Sequence, residues 1–306
     1  MTWMTRSPVV HPWSSGGRHG SLAPMRPSDE ALIGLSDGTQ LWTTVTGSGP
    51  PVVCCHGGPG LWDYLEPLAA LLSDAFTAVR FEQRGCGRST GIGPFTIAQA
   101  MSDLDQLRAA FGFSRWSVLG HSWGAELAVR YAARFPEHTT SVIYIAGVGA
   151  GDSFRAAYLA ERDRRLGADL ARWQELATRT RTAAEEREWC LLQWRSDFSP
   201  SGASADHAQA LWSMRPAGAA VNSRANRELW GDRSTEDLLE LATKVRAPVT
   251  MLLGRDDPRP WTATDSLYTA LPNTRRVVLD GAGHAPWVEC PDAARKVIRT
   301  ALAAER

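Results

Sequence analysis

A serine inside Gly120-His121-Ser122-Trp123-Gly124 is the first group in this 306-residue chain whose surroundings suit chemistry. The pentapeptide follows the apolar run Trp116-Ser117-Val118-Leu119 and precedes Ala125-Glu126-Leu127-Ala128-Val129-Arg130-Tyr131, so it reads as a strand, a tight turn and a helix. In a G-x-S-x-G turn the serine sits where the strand reverses, the glycines avoid collision with neighbouring backbone, and the hydroxyl is pushed outward. The bare pattern also arises by chance as a glycine-rich turn with an N-capping serine, so its meaning depends on the rest of the chain. A serine hydroxyl is a weak nucleophile at neutral pH and needs a base within hydrogen-bond reach, itself oriented by a third group. Of the seven histidines, His284 in Gly281-Ala282-Gly283-His284-Ala285-Pro286-Trp287 is the best placed, because its loop follows the last strand and can carry an imidazole back over the sheet edge. The orienting acid should follow the preceding strand, where Gly254-Arg255-Asp256-Asp257-Pro258 offers two carboxylates; Asp257 is the choice and Asp256 the alternative. His56-Gly57-Gly58-Pro59-Gly60 follows a further strand, and its glycines let backbone N–H groups approach a developing oxyanion. The N–H groups of Gly58 and Trp123 are expected to form that hole, where one donor is typically worth about 3 kcal/mol of transition-state stabilisation. His56 itself reads as a structural hydrogen-bonding residue.

These groups need a scaffold that brings strand ends together. Leu32-Ile33-Gly34-Leu35 and Gln40-Leu41-Trp42-Thr43-Thr44-Val45 flank Asp37-Gly38 and predict a hairpin. Pro51-Val52-Val53-Cys54-Cys55, Phe76 to Phe81, Trp116 to Leu119, Ser141 to Ala146, Pro248 to Gly254 and Arg276 to Asp280 read as buried strands. Between and after them lie helical patterns around Leu65 to Leu72, Asp103 to Arg108, Ala125 to Tyr131, Thr262 to Leu271 and beyond Asp292. This alternation predicts a mainly parallel sheet covered on both faces. Residues 152–243 break the rhythm: they contain no convincing strand and read as amphipathic helices carrying Trp173, Trp189, Trp194, Trp212 and Trp230. The expected organisation is a flexible leader over 1–27, a core over 28–151 and 244–306, and a helical insert over 152–243.

Lys and Arg together number 33 and Asp and Glu 33, so the net charge is zero and nothing points to nucleic acid or an anionic membrane as partner. No apolar run approaches the length of a membrane span, and the leader lacks the apolar stretch of a secretion signal, so the expected location is the cytoplasm. Cys54 and Cys55 are adjacent in a strand and point to opposite faces, while Cys86, Cys190 and Cys290 lack Cys-x-x-Cys spacing; neither a disulfide framework nor a metal site is expected. No cofactor is called for.

The order Ser122, Asp257, His284 is that of the α/β-hydrolases and differs from the orders in chymotrypsin-like and subtilisin-like proteases. Through His56-Gly57-Gly58-Pro59-Gly60, Gln83-Arg84-Gly85-Cys86-Gly87-Arg88-Ser89, Gly120-His121-Ser122-Trp123-Gly124 and Gly281-Ala282-Gly283-His284, the chain resembles the proline iminopeptidase family of α/β-hydrolases over most of its length after the leader. The resemblance implies the α/β-hydrolase fold with a helical cap, and a serine hydrolase that cleaves an ester or the amide of an N-terminal residue through an acyl-enzyme. Gly254-x-x-Asp257 matches the family's acid loop, and Glu82-Gln83-Arg84-Gly85 stands where the family has Asp-Gln-Arg-Gly, a segment expected to buttress the site. The family places cap glutamates, one directly after a tryptophan, on the substrate's amino terminus; here Trp194 is followed by Arg195. Asp197, Glu188 and Glu228 are the nearby acids. Trp194, Trp212, Trp230 and Glu228 are the candidate substrate contacts, with most cap tryptophans expected in the cap's own core and one or two lining a pocket above Ser122. The alternatives are an esterase, lactonase or thioesterase without aminopeptidase activity, and a ligand-binding module that has lost turnover. In each case the partner is a small molecule or short peptide.

Overall fold

A computed structural model describes residues 9–11, 29–200 and 202–303. Nine strands form one sheet: β1 Val9–His11, β2 Glu30–Gly34, β3 Gln40–Thr46, β4 Pro51–Cys55, β5 Thr77–Phe81, β6 Trp116–His121, β7 Thr139–Ile145, β8 Val249–Gly254 and β9 Thr274–Leu279. Their spatial order is β1-β2-β3-β5-β4-β6-β7-β8-β9. The predicted hairpin is present, with Leu32 opposite Trp42, and β3 also runs antiparallel to β5; the strands from β5 through β9 are parallel to one another. Within the stretch read as a leader, residues 9–11 pair in parallel with Ala31–Ile33, and the remainder of 1–27 lies outside the described residues.

The short apolar strands are buried on both faces because helices cover each side. Val53, Cys55, Val79, Val118, Val142 and Met251 face a layer holding α2 Ile97–Ala110 and α3 Trp123–Arg134, together with α9 Thr235–Ala242 and α10 Asp265–Ala270. Val52, Cys54, Leu119, Ile143 and Leu252 face the opposite layer, with α1 Glu66–Ala70 and α12 Pro291–Ala303. Cys54 and Cys55 thus point to opposite sides, and all five cysteines are free thiols. Helix α2 starts earlier than the sequence pattern implied, because Thr96 caps it by accepting the Gln99 N–H at 3.1 Å.

The chain leaves the sheet after β7 and builds α4 Arg155–Leu166, α5 Leu170–Ala177, α6 Ala183–Asp197, α7 Ser204–Ser213 and α8 Ser223–Gly231 before returning through α9. The last of these buries Leu238 and Ala242 in the sheet's own core. The order β5-β4-β6 places β4 at the reversal of strand order, and in such sheets a crevice opens at the carboxyl ends of the strands. The glycine loop after β4, the serine turn after β6, and the loops after β8 and β9 all leave from those ends.

Candidate active site

The turn between β6 and α3 is as tight as the sequence requires. A Cβ on Gly120 would lie 1.9 Å from the Gly124 carbonyl oxygen, and one on Gly124 would lie 2.1 Å from the Cys55 carbonyl oxygen, so neither position accepts a side chain. Between them Ser122 adopts φ 57° and ψ −118°, a conformation that non-glycine residues rarely take. Its N–H donates to the Ile145 carbonyl at 2.9 Å, which anchors the turn on β7. Its side chain opens into a cavity of about 250 Å³ between the sheet and the helical insert.

His284 lines the same cavity. Its Nδ1–H donates to Asp257 Oδ2 at 2.6 Å, and the two side chains are only 10% and 5% exposed. A carboxylate can only accept, so the proton on this edge belongs to Nδ1 and the Nε2 edge is left as the base when the ring is neutral. Burial alone would raise the Asp257 carboxyl, but His284 and then Arg259 outweigh it and hold the group below the usual carboxylate range. The Arg259 N–H donates to Asp257 Oδ1 at 2.9 Å, and Arg259 Nη1 lies 3.5 Å from the same oxygen and 2.9 Å from Asp197 Oδ1. Asp256 turns the other way: Oδ2 accepts the Ser199 hydroxyl at 2.7 Å.

Helix α3 begins at Trp123, whose N–H is among those with no partner inside a helix, and Gly58, at φ +125°, lines the cavity beside Ser122. His56 is fully buried with both ring nitrogens in use: Nδ1–H donates to the Gly57 carbonyl at 2.9 Å and Nε2 accepts the Gln83 N–H at 3.1 Å. Burial holds its pKa below the ordinary value. The Glu82 to Gly85 segment supports the site from behind. Gln83 Nε2 donates to the His56 carbonyl at 2.7 Å, Gln83 Oε1 accepts the Trp123 indole N–H at 3.2 Å, and Arg84 pairs with Asp103 at 2.6 Å.

The expected substrate contacts divide. Trp194 lines the cavity, and so does Trp189, which stacks on Trp173 at 6.0 Å. Trp212 packs edge-on against Trp62 at 5.8 Å and is not among the residues lining the cavity. Trp230 packs 6.1 Å from the Trp123 ring and is not among the residues lining the cavity. The Glu228 carboxylate pairs with Arg224 at 2.7 Å on the surface, where an i,i+4 partner on an exposed helix face costs no desolvation, and it is not among the residues lining the cavity. Sequence reasoning passed over Tyr64, Tyr158 and Arg259, which also line the cavity, and gave His121 of the serine turn no role of its own. Only Arg259 had a local signal, as a cation two residues after the acid.

The chain matches the model of the alpha/beta hydrolase fold over residues 50–289. Among curated relatives, a putative carbamate hydrolase of Cronobacter turicensis is 26% identical over 83% of this chain and 91% of that protein. A probable proline iminopeptidase of Streptomyces coelicolor is 29% identical over 86% of this chain and 92% of its own length. Among solved structures, a proline iminopeptidase-related protein of Thermus thermophilus superposes with a TM-score of 0.69 at 25% identity, covering 92% of this chain and 98% of that one.

Proposed function

The chain belongs to the alpha/beta hydrolase fold family, and from that premise we propose that it is a serine hydrolase acting on esters of small apolar acids. Ser122 Oγ attacks the carbonyl carbon while His284 Nε2 takes its proton. Asp257 holds the imidazole and offsets its positive charge, and the N–H groups of Gly58 and Trp123 receive the oxyanion. Collapse of the tetrahedral intermediate expels the leaving group with the proton from His284, and water, activated by the same imidazole, then releases the acyl group. The observation that carries the reading is that His284, paired with the buried Asp257, lines the same cavity as a serine held at φ 57°.

The choice of esters over N-terminal amides rests on the acids. Glu188 is paired with Arg172 at 2.8 Å and Glu228 with Arg224, both at the surface, while Arg195, which replaces the glutamate after the tryptophan, is paired with Asp169 at 2.7 Å. Asp197 does line the cavity, but Arg259 neutralises it. A substrate ammonium would therefore have to compete with a buried guanidinium. Much of the remaining lining, including Leu61, Trp189, Trp194, Phe198, Leu211 and Trp287, is apolar, while the amides of Gln193 and Asn226 are engaged by Tyr158 Oη and the Pro59 carbonyl. Asp197 also favours a second reading, in which it receives the amino terminus as in an aminopeptidase. No helix among the described residues is long and apolar enough to cross a membrane, and the five free thiols favour a reducing, cytoplasmic setting.

The test is a fluorophosphonate probe followed by a substrate comparison. Labelling should fall on Ser122 and vanish in Ser122→Ala; a folded protein that takes no label sinks the nucleophile. p-Nitrophenyl butyrate should be turned over with kcat/KM at least about 100-fold above prolyl or alanyl anilides, the scale on which a site lacking a polar partner discriminates. The reverse ratio would hand the site to the aminopeptidase reading.

A further inference from the structure

One buried hydrogen-bonded chain joins the three loops that would carry catalysis. The Gly57 N–H donates to Tyr64 Oη at 2.9 Å, the Tyr64 hydroxyl donates to His121 Nδ1 at 2.7 Å, and His121 Nε2–H donates to the His284 carbonyl at 2.8 Å. The direction of each bond follows from chemistry: a carbonyl only accepts, so Nε2 carries the imidazole proton, Nδ1 must accept, and the tyrosine oxygen is left to receive the amide N–H. Apart from Tyr64, every member of the chain is adjacent to, or part of, a group with a proposed role. Gly57 precedes Gly58, His121 precedes Ser122, and the last link ends on His284 itself.

Packing holds the chain rigid. The His121 ring lies 4.6 Å from the His284 ring and 4.6 Å from Trp287, and Tyr64 stands nearly perpendicular to it at 5.6 Å. A Cβ on Gly57 would sit 2.5 Å from the Tyr64 hydroxyl and 2.9 Å from Ser122 Cβ, so the contact exists only because residue 57 has no side chain. The neighbouring Asp63 fixes the entry to α1, pairing with Arg80 and accepting the Leu65 N–H at 3.1 Å. Burial, and then the charge of His284, push the His121 pKa well below its ordinary value, so the imidazole stays neutral and keeps one tautomer.

On the reading of Ser122 as nucleophile, we propose that Tyr64 and His121 are positioning residues that set the spacing between the oxyanion loop, the serine turn and the backbone of His284. Neither moves a proton in the reaction. Their effect is on alignment, where an error of about 1 Å can cost about 100-fold in rate.

The experiment pairs kinetics with a spectroscopic signature. Tyr64→Phe conserves shape and should lower kcat for p-nitrophenyl butyrate by about 10- to 100-fold with KM within about twofold, and slow fluorophosphonate labelling in parallel. His121→Gln retains an N–H donor and should keep more activity than His121→Leu. In the 15N spectrum of the wild type, His121 should show a neutral Nε2–H ring that does not titrate between about pH 5 and pH 8. Unchanged kcat in Tyr64→Phe, or a His121 ring that titrates in that range, overturns the proposal. So does a rate loss that only follows the folded fraction measured by thermal melting. Failure of the underlying reading looks different: the wild type itself would take no label on Ser122.

Discussion

Asp256 and Asp257 share a loop and a side-chain type, and only their surroundings separate them. Asp257 meets His284 and Arg259, whereas Asp256 is occupied by the hydroxyl of Ser199 and its carbonyl accepts Arg165 Nη2 at 2.7 Å. Asp257→Asn should therefore cut kcat/KM for the ester by about 10³- to 10⁴-fold, because the amide can stabilise the wrong imidazole tautomer, while Asp256→Asn should stay within about threefold. Steady-state assays on both variants decide it, and the opposite order would reassign the acid. Since His284 and Arg259 hold the Asp257 carboxyl below the usual carboxylate range, it is ionised near neutrality, and any loss of activity there belongs to another group. At this scale the sequence was legible wherever a residue type is demanded by the turn it occupies. It was silent on Tyr64, whose partner His121 lies 57 positions away and forms no pattern with it.

At the scale of elements, the short helix α11 Pro286–Glu289 connects the histidine loop to the insert. Glu289 Oε2 accepts the Gly283 N–H at 2.7 Å and Oε1 accepts the Ser199 N–H at 2.6 Å, while Arg165 of α4 donates to the Phe198 carbonyl at 2.7 Å. The end of α6 is thus tied to both loops that carry Asp257 and His284, and the His284 N–H donates to the Asp197 carbonyl at 2.8 Å. Burial is the largest influence on Glu289; two backbone donors oppose it and the charges of Asp257 and Asp256 add to it, leaving the pKa at about 7. The folded state holds this proton more tightly than the unfolded chain. The resulting stability is complete below about pH 4.5 and is lost as pH rises through about 7. Between pH 5 and pH 8 the wild type should lose more thermal stability than Glu289→Gln. Parallel melting curves with equal slopes against pH would refute this account. Proline at 286 and glycine at 283 marked the loop in the sequence, but the carboxylate's buried setting depends on Ser199, in a segment some 90 residues earlier.

For the molecule as a whole, the relevant feature is the space left between the sheet and the helical insert. Trp194 on α6 forms part of its wall and leans edge-on against Trp62 from the loop before α1, at 5.8 Å between ring centroids. A cavity of about 250 Å³ suits a short or single-ring acyl group. Trp194→Ala should enlarge it and move the preference toward longer chains: kcat/KM for octanoyl relative to butyryl p-nitrophenyl ester should rise by about tenfold or more. A constant ratio would remove Trp194 from the acyl pocket. The alternation of apolar strands with helices, the helical stretch at 152–243, and the order of serine, acid and histidine could all be read from residue types alone. Strand burial, turn geometry and loop order are local or directional properties of the chain. Which tryptophans line the cavity, what occupies Asp256, and the neutralisation of Asp197 by Arg259 were decided only by tertiary structure. Each depends on the distance and relative rotation of elements far apart in sequence, and on which buried charges find a partner first.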